Sequence, residues 1–283
     1  MKRQALVIGI NSYPFGESLI TPARGAEAVA HILEEYGEFV VQRIPCDKNT
    51  QRIATNVNVK LITLEQAIVN LFQPKDGLIP ETALLFFAGH GLEKEKDGNT
   101  EGFLVTSDAI PGDDSDEIGL FPLQRLRQLL EESSVRQQIV WLDCCFSSQL
   151  FNFSETDLLS EKERDRFFIA ASRQEAVGQL SNEYGELTGE LLKGLDPNRK
   201  NFDGSVTNYT LEDFIKAALV EAKAPQNAVI QSTGGQIVLA GKKGTNICPY
   251  KGLEYFDFNP EKPRDIDDHK YFYGRSQLIE KLL

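Results

Sequence analysis

Histidine, cysteine, methionine and tryptophan are all scarce in this chain of 283 residues, at three, four, one and one. The cysteines are an adjacent pair, Cys144 and Cys145, and two distant singles, Cys46 and Cys248. That spacing supplies neither a disulfide framework nor a CxxC or His-rich zinc set, so reduced thiols and a cytoplasmic location are expected. Long hydrophobic runs are missing too. The first apolar stretch, Ala5–Ile10, is broken by Asn11-Ser12-Tyr13-Pro14. It is too short for a signal-peptide core or a membrane span and reads as a buried strand. Positive charge is in deficit, with 30 Lys and Arg against 42 Asp and Glu and a net charge of −12. Nucleic acid calls for a basic face and is therefore not an expected partner, whereas a basic peptide is compatible. The rest, 41% hydrophobic and 25% charged, is ordinary for a globular protein whose core needs no staples.

Apolar runs alternate with helical periodicity along the chain. Strands are predicted at Ala5–Ile10, Val40–Ile44, Ala83–Ala88, Gln138–Leu142, Phe167–Ala171 and Gln236–Ala240, with part of a hairpin at Gly102–Thr106. Helices are predicted over 25–36, from Leu61 to Leu71, from Leu123 to Leu130, and over Leu187–Leu195 and Leu211–Lys223. This order implies βαβ units and an α/β fold, a mostly parallel sheet of about six strands with helices on both faces. Residues 154–166 are highly charged and read as an exposed loop. Gly241-Lys242-Lys243-Gly244-Thr245 reads as a linker.

Two of the strands stop at residues with chemistry. Leu84–Ala88 runs into Gly89-His90-Gly91, and Ile139–Leu142 runs into Asp143-Cys144-Cys145. Ligands and catalytic groups of open α/β sheets collect at the carboxyl ends of strands. Among the three histidines, His31 falls within an amphipathic helix and His269 in the tail, while His90 stands between two glycines. Strand alternation puts Leu142 with Cys144 on one face and Asp143 with Cys145 on the other. A free thiol is mostly protonated at neutral pH, and a nearby imidazolium lowers its pKa. His90 and Cys145 thus have the chemistry of a cysteine hydrolase dyad.

At these residues the chain resembles the caspase-like cysteine peptidases, in particular the prokaryotic metacaspase-like group often called orthocaspases. The histidine motif, an apolar strand ending in Ser/Ala-Gly-His-Gly, is matched by Ala88-Gly89-His90-Gly91. The nucleophile motif, Asp-x-Cys before a small-residue turn, is matched by Asp143-Cys144-Cys145 and Ser147-Ser148. The Gln-Ala-Cys form of animal caspases is absent. The resemblance runs from Ala5 to Ala240 and includes Tyr184-Gly185-Glu186-Leu187-Thr188. It implies a caspase-like sandwich over 1–241: a large-subunit-like part at 1–150, a charged loop at 151–166 and a small-subunit-like part at 167–241.

The resemblance further implies peptide-bond hydrolysis through an acyl-enzyme on Cys145. His90 would transfer protons, and the backbone N–H groups of Gly91 and Cys145 would form the oxyanion hole. Asp143 would lie in the P1 pocket and select Arg or Lys. Two supporting positions depart from the family pattern: its early-helix Asp-Ala is Gly25-Ala26 here, and its Ser before the histidine is Ala88. Arg24 leaves an acidic P1 preference as an alternative. A catalytically weak interaction module and a different acyl hydrolase are the other two. A basic P1 preference would make Lys162, Arg164 and Arg166 candidate self-cleavage sites. Neither a metal site nor a cofactor is expected. The acidic stretch Asp113–Glu117 reads first as a solvated loop and second, by resemblance, as carboxylates for calcium.

The tail carries a second resemblance. Cys248-Pro249-Tyr250-Lys251-Gly252-Leu253 and Phe272-Tyr273-Gly274-Arg275 are similar to the entry segment of STAND-type NTPases. Residues 242–283 are thus expected to be a linker and the truncated start of a regulatory NTPase region, without the phosphate loop that binds ATP.

Overall fold

The computed structural model describes residues 3–74, 79–96, 99–110, 118–151, 164–171, 183–199, 205–221 and 228–241. Its centre is a six-stranded sheet. The strands are β1 (Arg3–Gly9), β2 (Val40–Ile44), β3 (Thr82–Ala88), β7 (Gln137–Asp143), β8 (Asp165–Ala171) and β10 (Ala228–Thr233), in the order β10-β8-β7-β3-β1-β2. All neighbours are parallel except β10, which runs antiparallel along β8. Strands β3 and β8 are buried at every position, as expected for interior strands covered on both faces.

The direction in which the chain moves decides which face each helix covers. From β1 it steps outward to β2 through α1 (Pro22–Gly37). It then returns past β1 to β3 through α2 (Leu61–Phe72) and continues to β7 through α3 (Leu123–Glu132). Right-handed crossovers in opposite directions put helices on opposite faces. Accordingly, Leu64 and Ile68 of α2 and Leu126 and Leu130 of α3 share a core with Leu6, Leu85 and Val140. Val29 and Leu33 of α1 share the other core with Val7, Phe86 and Trp141. That second core also takes Leu187 and Leu191 of α4 (Glu186–Leu195), and Leu211 and Ile215 of α5 (Asn208–Glu221). Each large side chain fully buried this way contributes roughly 1.5–3 kcal/mol. The reversal of direction makes the carboxyl ends of β1 and β3 the topological switch point, where α/β sheets place their ligands.

A second sheet rises from that edge: β4 (Gly91–Lys96), β5 (Asn99–Val105) and β6 (Leu120–Pro122), all antiparallel. It fills out the hairpin expected near Gly102–Thr106. Two other expectations are corrected. The sixth strand of the main sheet is β10, while the short C-terminal strand β11 (Val238–Ala240) pairs instead with β9 (Val206–Thr207). Strand β10 is half-exposed along its length, so it lacks the apolar run that reveals interior strands. The charged loop also ends earlier than 166, because β8 begins at Asp165.

Candidate active site

Strands β3 and β7 are parallel neighbours in which Ala88 stands opposite Asp143. His90 and Cys145 each follow two residues later, so one register carries both to the same edge. The Gly89 N–H donates to the Asp143 carbonyl at 3.4 Å, tying the two strand ends together. Gly91 then packs directly on the Cys145 turn: a Cβ at this position would run into the Cys145 carbonyl oxygen. The close approach needs glycine.

His90 is half-buried and held from two sides. Its Nε2 lies 2.7 Å from the carbonyl oxygen of Glu17. A carbonyl only accepts, so Nε2 carries the hydrogen and, in the neutral ring, Nδ1 is the basic nitrogen. The His90 backbone N–H donates to the Tyr13 hydroxyl at 2.9 Å, and the two rings meet edge to face with centroids 4.5 Å apart. Both Glu17 and Tyr13 belong to the loop after β1, across the switch point.

The adjacent cysteines have opposite surroundings. Strand β7 ends at Asp143, and Phe146 turns the chain with a φ of 57°. Ser147 anchors the turn through its buried hydroxyl, 2.9 Å from the Cys144 carbonyl and 2.7 Å from that of Ala171 at the end of β8. Cys144 continues the line of Leu142 into the core, where burial pushes its thiol pKa well up. Cys145 is half-exposed. Alternation therefore holds for Leu142 and Cys144, but the turn, rather than the strand, sets the position of Cys145.

Asp143 meets the start of α4. Its Oδ2 accepts from the Thr188 N–H at 3.2 Å and also from the Thr188 hydroxyl. A helix N-terminus favours a carboxylate there. Gly185, just before α4, leaves the necessary room, since a Cβ on it would lie 2.6 Å from that same oxygen. Thr188 also fills the space beside Gly25, where a Cβ would come within 2.8 Å of the Thr188 methyl. Position 25, where the resemblance leads one to expect an acid, is thus occupied from the side by the residue that holds Asp143. Tyr13, Glu17 and Thr188 join the site without standing out as candidates in the sequence. Tyr13 carries the same signal as His90, a polar group past the end of a buried strand, and Thr188 closes the segment Tyr184-Gly185-Glu186-Leu187-Thr188.

Two proposed self-cleavage positions are corrected in their setting. Arg166 is buried within β8, its Nε donating to Gln138 Oε1 at 3.1 Å. Arg164 is half-buried and donates to the carbonyls of Leu130 and Ser133 at 3.2 and 2.9 Å. Neither lies in an exposed loop. Lys162, the acidic stretch Asp113–Glu117 and the tail 242–283 lie outside the described residues. Among the described residues no three His, Cys, Asp or Glu side chains group as metal ligands, and no helix is long and apolar enough to cross a membrane.

The family model of the caspase domain (peptidase C14) matches residues 2–243. Among solved structures, the crystal structure of the Drosophila initiator caspase Dronc superposes with a TM-score of 0.51 at 11% sequence identity. The match covers 82% of this chain and 79% of that one. At that identity the likeness is one of fold. No curated protein sequence matches the chain significantly.

Proposed function

The chain belongs to the caspase-domain family of cysteine-type peptidases, and we propose that it is an endopeptidase cutting after Arg or Lys with Cys145 as nucleophile and His90 as acid and base. The observation that carries this reading is the β3–β7 register, which brings the two strand ends together and packs Gly91 on the Cys145 turn.

The chemistry follows from the tautomer. With Nε2–H committed to the Glu17 carbonyl, Nδ1 is the nitrogen that exchanges protons. It takes the thiol proton, and Cys145 Sγ attacks the scissile carbonyl. The Gly91 and Cys145 N–H groups hold the resulting oxyanion, where one lost donor costs roughly 2.7–4 kcal/mol. The proton on Nδ1 then passes to the leaving amine. Water, deprotonated at the same nitrogen, releases the acyl group.

Asp143 supports a basic P1 residue. It is half-exposed at the carboxyl end of β7, and the N–H and hydroxyl of Thr188 fix its orientation. Fluorogenic peptides differing only at P1 test both parts. Turnover of Arg and Lys peptides by the wild type, lost in Cys145→Ala, is expected. Preference for Asp peptides would overturn the specificity, and turnover surviving in Cys145→Ala would overturn the mechanism. The tail motifs at 248–253 and 272–275 support a further part of the proposal, that this peptidase is the effector of a larger sensor with a C-terminal NTPase region.

A further inference from the structure

We propose that Tyr13 is a positioning residue for the proton-transferring histidine, gripping His90 at its backbone and its ring. The inference rests on the reading of His90 given above. Tyr13 sits just past the end of β1, beside β3 at the switch point, and is 5% exposed. Its hydroxyl accepts the His90 backbone N–H at 2.9 Å and faces the Val105 carbonyl of β5 at 3.5 Å. The phenol oxygen occupies the place a side chain at residue 89 would take: a Cβ on Gly89 would lie 2.6 Å from it. The ring lies against the imidazole at 4.5 Å and an interplanar angle of 61°.

A separate hold on the imidazole comes from the main chain of the same loop. The Tyr13 carbonyl accepts from the Gly16 N–H at 3.1 Å, and the Ser18 hydroxyl accepts from the Tyr13 N–H at 3.4 Å. These two bonds fold the short loop back so that the intervening Glu17 presents its carbonyl to Nε2 at 2.7 Å. A tyrosine that merely filled the core would need neither of its two contacts with His90. Burial also pushes the phenol pKa up, which keeps the hydroxyl neutral and able to accept from one backbone while donating to another.

The test compares Tyr13→Phe, which removes one oxygen, with Tyr13→Leu, which removes the ring. It reads kcat and KM on a P1 Arg peptide, and the imidazole nitrogen signals of His90 by NMR, assigned with His90→Gln. In Tyr13→Phe, kcat is expected to fall about fivefold to tenfold, the loss of one hydrogen bond, with KM within about twofold. Tyr13→Leu keeps both main-chain bonds of the loop but removes the ring that holds the imidazole toward the Glu17 carbonyl, so the single Nε2–H tautomer of the wild type is expected to give way to an averaged pair, a change that a loss of stability alone would not produce. An unchanged kcat in Tyr13→Phe would overturn the part assigned to the hydroxyl. An unchanged tautomer in Tyr13→Leu would overturn the proposal. If the wild type shows no Cys145-dependent hydrolysis, the functional reading falls, and the NMR arm still decides the role of Tyr13.

Discussion

Neighbouring thiols, one in the core and one at the surface of a turn, show how far the reactivity of a residue depends on its surroundings. Burial raises the pKa of Cys144 and keeps it protonated, while Cys145 is half-exposed beside Gly91. Iodoacetamide on the native protein at neutral pH is expected to alkylate Cys145 and to reach Cys144 only after unfolding, as peptide mass mapping will read. Equal labelling of the two would contradict the assignment. Thr188 presents a second case at this scale, because its hydroxyl and N–H both serve the Asp143 carboxylate. Thr188→Val keeps the shape and removes the hydroxyl. The loss is expected to lower stability by about 1.5–3 kcal/mol, the range for a hydrogen bond to a charged group, and to raise KM for P1 Arg peptides. Chemical denaturation and steady-state kinetics check the two effects separately.

At the scale of elements, α1 and α4 meet where Gly25 faces Thr188. Gly25→Ala puts a methyl within 2.8 Å of the Thr188 methyl and is expected to cost about 1–3 kcal/mol, with part of the loss recovered in the double variant with Thr188→Ser. Full additivity in that cycle would show that the two helices do not couple here. Strand β8 makes a comparable statement about processing. Cleavage after Arg164 or Arg166 would require opening residues anchored to α3 and β7, so self-cleavage between the halves is expected after Lys162 instead. Sequencing new N-termini in wild type and Cys145→Ala would reveal it.

These elements also show what was legible in the sequence and what was not. Strands β1, β3, β7 and β8 declare themselves because burial on both faces demands unbroken apolar runs, and both residues of the proposed dyad, His90 and Cys145, stand just past the ends of such runs. Strand β10 is hidden because a half-exposed edge needs no such run. The holds on His90 are hidden for another reason: the Glu17 carbonyl has no side-chain signature, and Tyr13 is brought beside His90 only by the parallel pairing of β1 with β3.

For the whole molecule, the site depends on a folded sheet whose buried titratable groups must stay neutral. A thiol whose folded-state pKa is raised adds stability that is fully present below its ordinary value of 9.0 and is lost as pH rises above it. The phenol of Tyr13 adds a like contribution that begins to be lost above 10.0. The Tm of the wild type is therefore expected to fall as pH rises beyond about 9, and the fall is expected to be shallower in Cys144→Ala; parallel curves would show that Cys144 plays no part. The central claim, an acyl-enzyme on Cys145 formed with the help of His90, is tested most directly by a peptidyl-Arg chloromethyl ketone followed by mass mapping. A single adduct on Cys145 is expected, formed far more slowly in His90→Gln. An adduct on another cysteine, or hydrolysis that continues once Cys145 is fully blocked, would contradict it.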